Sequence, residues 1–272
     1  MPRARKLLIA LLIVLLVALV GSGIAWTTLS SGNAARPEAV AALSSAAAVT
    51  VSRPTGEDWY VFTPTAAAPT TGLILYPGGF VDPVAYAAVA RDIAAAGYLV
   101  VIDPMPLNLA VTGVESADAI IAAFPDITAW AIGGHSLGGA MAAEYVKNNP
   151  GSIAGLVLWA AYPAANTDLS ALPLEVVSIY GDADGVAAIE EITGGAARLP
   201  AGARFVLIPG GNHTQFGRYG EGLQRGDNPA TIDRDAQQAA VVAATLDLLA
   251  AIRPPASLLL HPSSLLLHPS GA

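Results

Sequence analysis

The sequence predicts an α/β fold, a mostly parallel central sheet flanked by helices on both faces. Three observations point there. Short continuous apolar runs, such as Leu99–Ile102 and Ile153–Trp159, read as strands buried on both sides rather than half-exposed ones. These runs alternate with longer helix-forming segments, the order that builds strand–helix–strand units. One stretch, AWAIGGHSLGGAMAA from Ala129 to Ala143, passes from an apolar run through a glycine-rich turn into a helix-forming run. In a sheet of this kind, ligands belong beyond the carboxyl ends of the strands.

Composition narrows the classes further. The chain has 272 residues, 54% of them hydrophobic and only 12% charged, which supports a large core and argues against disorder. Net charge is −8, and Lys and Arg cluster only within the first six residues, so nucleic acid is excluded as a partner. The absence of cysteine removes disulfides, thiolate metal sites and a thiol nucleophile. No cofactor and no metal is expected.

The elements follow in order. Residues 1–26 form a membrane anchor or signal segment. Arg3, Arg5 and Lys6 precede an uncharged run from Leu7 to Trp26, and about 20 residues of helix span ~30 Å, the thickness of a bilayer core. The basic flank keeps the start in the cytoplasm and places the domain outside the cell membrane on a single pass. The rival reading is a signal peptide cleaved at Gly23-Ile24-Ala25 or Gly32-Asn33-Ala34, giving a secreted protein. Residues 27–48, rich in Ser, Ala and Gly, read as a linker with a short helix near Glu38–Leu43.

The domain proper spans 49–253. Val49–Arg53 and Trp59–Thr63 form an edge hairpin with Gly56 at its turn, and Leu73–Tyr76 is a short strand closed by Pro77-Gly78-Gly79. Val84–Ala95 is an amphipathic helix stopped near Gly97, and Leu99–Ile102 is a strand ending at Asp103-Pro104. Ser116–Phe124 is a helix with Ser116 as its cap. Ile153–Trp159, Glu175–Tyr180 and Phe205–Ile208 are further strands, and Asp233–Ile252 is a closing helix. Residues 254–272 carry SLLLHPS twice in tandem, a low-complexity tail in which His261 and His268 are not read as a metal site.

Gly134-His135-Ser136-Leu137-Gly138 fits G-x-S-x-G, the strand-to-helix turn that exposes a serine hydroxyl in strained backbone. A serine needs a base beside it. His135 adjoins it within the turn and points elsewhere. His213, in the segment directly after the last strand, reaches the same sheet edge and is the candidate base. The loop after Glu175–Tyr180 supplies the carboxylate that would fix the imidazole. Asp184 is preferred and Asp182 is the alternative. The amide of Leu137 opens a helix and faces the developing oxyanion. Gly79 is its expected partner, with Phe80 as the alternative one residue along.

These segments, YPGG at Tyr76–Gly79, GHSLGG at Gly134–Gly139, GDADGV at Gly181–Val186 and GGNHTQFG at Gly210–Gly217, resemble the α/β-hydrolase superfamily. More narrowly they are similar to its small bacterial members related to dienelactone hydrolases and cutinase-like esterases. The resemblance covers Val49 to Ile252 and implies an acyl hydrolase acting on a small-molecule ester, with Ser136 as nucleophile, Asp184 as acid and His213 as base. Amidase, peptidase or perhydrolase chemistry shares the same intermediate, and a non-catalytic binding module is the remaining alternative. Two departures stand out. Pro77 occupies a position where many relatives carry histidine, and dienelactone hydrolases proper use the cysteine that this chain lacks. The short span Ala161–Leu172 leaves no room for a helical cap, so an open site is expected, with Phe80, Tyr162, Phe216 and Tyr219 as its aromatic lining.

Overall fold

A computed structural model describes residues 32–253. The expected membrane segment, apart from the candidate cleavage site at Gly32-Asn33-Ala34, and the tandem tail lie outside those residues. Among the described residues no helix is long and apolar enough to cross a membrane. In chain order the elements are α1 (Pro37–Ala41), β1 (Val49–Ser52), β2 (Tyr60–Pro64), β3 (Thr71–Tyr76), α2 (Ala87–Ala95), β4 (Leu99–Ile102), α3 (Ala117–Ala123), β5 (Ala129–His135), α4 (Leu137–Asn148), β6 (Gly155–Trp159), β7 (Glu175–Gly181), α5 (Ile189–Gly194), β8 (Arg204–Ile208) and α6 (Arg234–Ala251).

The strands form one eight-stranded sheet in the order β1-β2-β4-β3-β5-β6-β7-β8. The edge hairpin is antiparallel, as is its junction between β2 and β4, and every other pairing is parallel. Alternation along the strands splits the core in two. Leu73, Leu75, Val157, Trp159, Val177 and Ile179 face α2 and α6. Ile74, Tyr76, Ile132, Leu156, Leu158 and Val176 face α3 and α4. All seven residues of β5 are buried, as a central parallel strand requires. The parallel strands end along one edge, and the loops after β3, β5 and β7 gather there.

Several local expectations are corrected. Residues 32–48 do not form a free linker. Ala39 and Ala42 are fully buried, Ala35 bridges Tyr219, and the Arg36 amide donates to Arg218 O (2.8 Å). The alanines of α1 are small enough to seat it flat on the domain. The helix expected from Val84 begins as a 3-10 turn at Pro83–Tyr86, where Asp82 Oδ1 accepts the Val84 amide at 2.9 Å. Ser116 gives α3 no side-chain cap, because its hydroxyl lies 2.5 Å from Asp103 Oδ2 and 2.7 Å from Gly113 O instead. Helix α5 was not expected, being short and without a strong apolar period. The chain between β6 and β7 is free of helix, so no cap covers the sheet edge.

Candidate active site

Ser136 sits between β5 and α4 with φ 54° and ψ −122°, a conformation that costs a non-glycine residue about 1–3 kcal/mol. The flanking glycines have a specific task. A Cβ on Gly134 would strike Tyr76 O, and a Cβ on Gly138 would strike both Tyr76 O and Pro77 O. The elbow therefore packs backbone to backbone against the end of β3. That contact brings Gly79 to Leu137, whose Cδ2 lies 3.2 Å from where a Gly79 Cβ would be.

The two expected oxyanion donors meet here. Leu137 opens α4, so its amide has no acceptor within the helix. The Gly79 amide has no acceptor among the described residues. The amide of Phe80, the alternative, donates to Asn108 O at 2.7 Å. Gly78 is committed as well, to the Tyr86 hydroxyl at 3.0 Å.

On the far side of the elbow lies an enclosed pair. His213 Nδ1 is 2.8 Å from Asp184 Oδ2, and both side chains are fully buried. Asp184 Oδ1 accepts the amides of Val186 (2.8 Å) and Ala187 (2.7 Å), so the carboxylate is fully engaged as an acceptor. Its hydrogen bond from the imidazole holds the proton on Nδ1 and leaves Nε2 as an acceptor. Nε2 is buried and has no hydrogen-bond partner among the described residues. The His213 ring stands 4.4 Å, centroid to centroid, from the ring of His135, the neighbour of Ser136. Asp182, the alternative carboxylate, faces another way. Its Oδ1 accepts the Gly210 amide at 2.6 Å and pins one loop to the other.

His135 is a fully buried strut. It stacks on Phe216 (5.5 Å, 15°), and its Nδ1 lies 2.9 Å from the Tyr86 hydroxyl. That hydroxyl already accepts from Gly78, so its own hydrogen is available to His135. Burial pushes the His135 pKa well below the usual histidine value, and the nearby imidazole of His213 acts in the same direction. Burial likewise pushes the Tyr86 phenol up. Both groups are neutral and serve as packing and orientation. Phe216 and Tyr219, expected in the lining, are 0% and 1% exposed and lie beneath the site.

Sequence reasoning missed Asp227. Its Oδ1 accepts the amides of Gly185 (3.0 Å), His213 (3.3 Å) and Asn228 (2.9 Å). Its Oδ2 accepts the Thr214 amide (2.7 Å) and hydroxyl (2.6 Å). One carboxylate thus ties the Asp184 loop to the His213 loop. From α6, Gln237 holds both backbone groups of Asn212, the residue before His213 (3.0 and 2.7 Å). Neither residue stands in a recognisable motif; a lone Asp in a Gly-Asp-Asn turn carries no sequence signal of its own.

Beside Ser136 opens a cleft of about 310 Å3. Ser136, Leu137, Tyr162 and Val186 line it with five alanines, and Phe80 does not border it. Among the described residues no cluster of His, Asp and Glu is arranged to hold a metal ion.

A mostly parallel sheet in this strand order, with a serine on a strained strand-to-helix turn and a buried Asp–His pair in the loops after β7 and β8, is the architecture of the hydrolase class of α/β fold. The chain belongs to the alpha/beta hydrolase family, whose model matches residues 72–239. No curated protein matches it by sequence. Among solved structures it is similar to a predicted CIB-like hydrolase from Thermoplasma acidophilum, with TM-score 0.56 and 15% identity over 74% of this chain and 96% of that one. It is also similar to a dienelactone hydrolase from Anabaena variabilis, with TM-score 0.57 and 14% identity over 75% and 96% of the two chains. At such identities the likeness is one of fold.

Proposed function

We propose that this protein is a serine hydrolase of carboxylic esters that works through an acyl-enzyme. The observation that carries the reading is the enclosed Asp184–His213 pair, with Nε2 unpartnered and the ring 4.4 Å from that of His135, the neighbour of Ser136. A buried polar atom without a partner demands a reason, and a base awaiting a proton supplies one. The Ser136 hydroxyl does not bond Nε2 in the free protein; such contacts commonly tighten when substrate binds.

In this reading Ser136 Oγ attacks the ester carbonyl while His213 Nε2 takes its proton. The carbonyl oxygen becomes an oxyanion facing the amides of Leu137 and Gly79, each worth about 3 kcal/mol at the transition state. His213 returns the proton to the departing alkoxide. Water then attacks the acyl-enzyme by the same route and restores Ser136. Asp184 keeps its charge throughout and stabilises the imidazolium.

The test is labelling by a fluorophosphonate probe followed by mapping of the modified peptide. The peptide containing Ser136 should carry the label, and Ser136→Ala should abolish both labelling and turnover of p-nitrophenyl acetate while unfolding normally in urea. Turnover persisting in that variant refutes the reading. We also propose a location at the outer face of the cell membrane, supported by the Arg3, Arg5 and Lys6 flank before Leu7–Trp26. Fractionation of the full chain tests this, and recovery in the soluble fraction with the N-terminus intact refutes it.

A further inference from the structure

The cleft beside Ser136 is uncharged throughout. Ala140, Ala160, Ala161, Ala164 and Ala187 supply most of its wall, with Val186 and Tyr162 completing it. Tyr162 is its one titratable lining group, and burial together with the neighbouring Glu191 raises its pKa, so the phenol is neutral. A carboxylate or ammonium entering this space would lose water without gaining a partner. His213 does not border the cleft. The leaving group must approach His213 to receive a proton, so a group seated in the cleft is on the other side of the scissile bond.

From this we infer that the cleft is an acyl pocket for short, neutral aliphatic chains, its depth set by alanines. The inference rests on the ester-hydrolase reading above. The volume of about 310 Å3 has room for a short acyl chain with its carbonyl. The walls are alanine where a larger residue would close the space. Ala164 is half-buried in the loop after β6, has no part in the hydrogen bonds of the Asp184–His213 pair, and is the natural position at which to shorten the pocket.

The experiment is a series of p-nitrophenyl esters from acetate to dodecanoate, with the hemisuccinate as the charged analogue, on wild type and Ala164→Phe. In wild type, kcat/KM should climb about fourfold per added methylene, as expected for apolar burial, until the pocket is full, and then fall. The hemisuccinate should be at least tenfold poorer than the butyrate. Ala164→Phe should lower hexanoate at least tenfold more than it lowers acetate, and an equal loss on both esters overturns the proposal. A flat acyl-length profile in wild type overturns the proposal, as does a hemisuccinate rate equal to butyrate. A series of acetates of longer alcohols controls for the other side of the bond, and a length preference found there alone also overturns it. Acetate turnover that survives Ser136→Ala is a different failure, that of the ester-hydrolase reading itself.

Discussion

Replacing Asp227 by alanine should separate catalysis from folding. The carboxylate collects the amides of Gly185, His213, Thr214 and Asn228 and the Thr214 hydroxyl at 2.6–3.3 Å. A hydrogen bond to a charged group is worth about 1.5–3 kcal/mol, but the residue is half-exposed and the freed donors regain water. A net loss of about 2–3 kcal/mol follows, not the sum of all the bonds. In a domain of this size that lowers Tm by roughly 4–12 °C. The larger effect falls on geometry. Gly185 follows Asp184 directly, and His213 is the proposed base, so releasing both loops displaces the pair against Ser136. A misplacement near 1 Å costs ~10²-fold in kcat. The assay is kcat and KM for p-nitrophenyl acetate with the fluorophosphonate labelling rate, set against urea unfolding. The expectation is a kcat about 100-fold down with KM nearly unchanged, while the protein stays folded at the assay temperature. Asp227→Asn, which keeps one acceptor oxygen, should recover part of the rate. An alanine variant with kcat within threefold of wild type would refute the reasoning, as would a kcat loss equal to the unfolded fraction.

Other expectations follow from the same geometry. Asp184→Asn should present an N–H to His213 Nδ1, move the imidazole proton to Nε2 and lower kcat by ~10⁴-fold, whereas Asp182→Asn should leave kcat nearly unchanged; comparable losses in both would exchange their roles. Ser136→Gly should be about 1 kcal/mol more stable than Ser136→Ala by urea unfolding, because glycine accepts φ 54° without strain. Asp103 is 4% exposed, and burial lifts its pKa to about 6. Since the folded value lies above the unfolded one, its contribution is most favourable below pH ~4 and is lost as pH rises through about 6, a loss that totals about 3 kcal/mol at neutrality. Asp103→Asn should therefore gain on wild type between pH 4 and 7 in urea titrations, and a gap independent of pH would count against this account.

The sheet was legible because its strands are continuous apolar runs and its helices carry apolar stripes. Ser136 was legible because only glycine tolerates the backbone contacts at 134 and 138, which leaves a fixed spacing in the sequence. His213 could be found by scarcity and by its place after the last strand. The difference between Asp184 and Asp182 was harder, since two residues in one turn differ only in which way they face. The Phe80 amide goes to Asn108, far along the chain, and no local pattern announces a long-range partner. Asp227 and Gln237 stayed hidden for the same reason. Residues 32–48 misled because a run of small residues reads as a tether by composition, yet small residues also pack closely against a neighbouring surface.

The contact between the elbow glycines and the carbonyls of Tyr76 and Pro77 has an evolutionary consequence. It sets the spacing of Ser136 from the Leu137 and Gly79 amides through main chain alone, so side-chain changes in the alanine wall leave that spacing untouched. Under the proposed hydrolase reading, the walls that would select among esters can then vary one side chain at a time while the reacting groups stay in place.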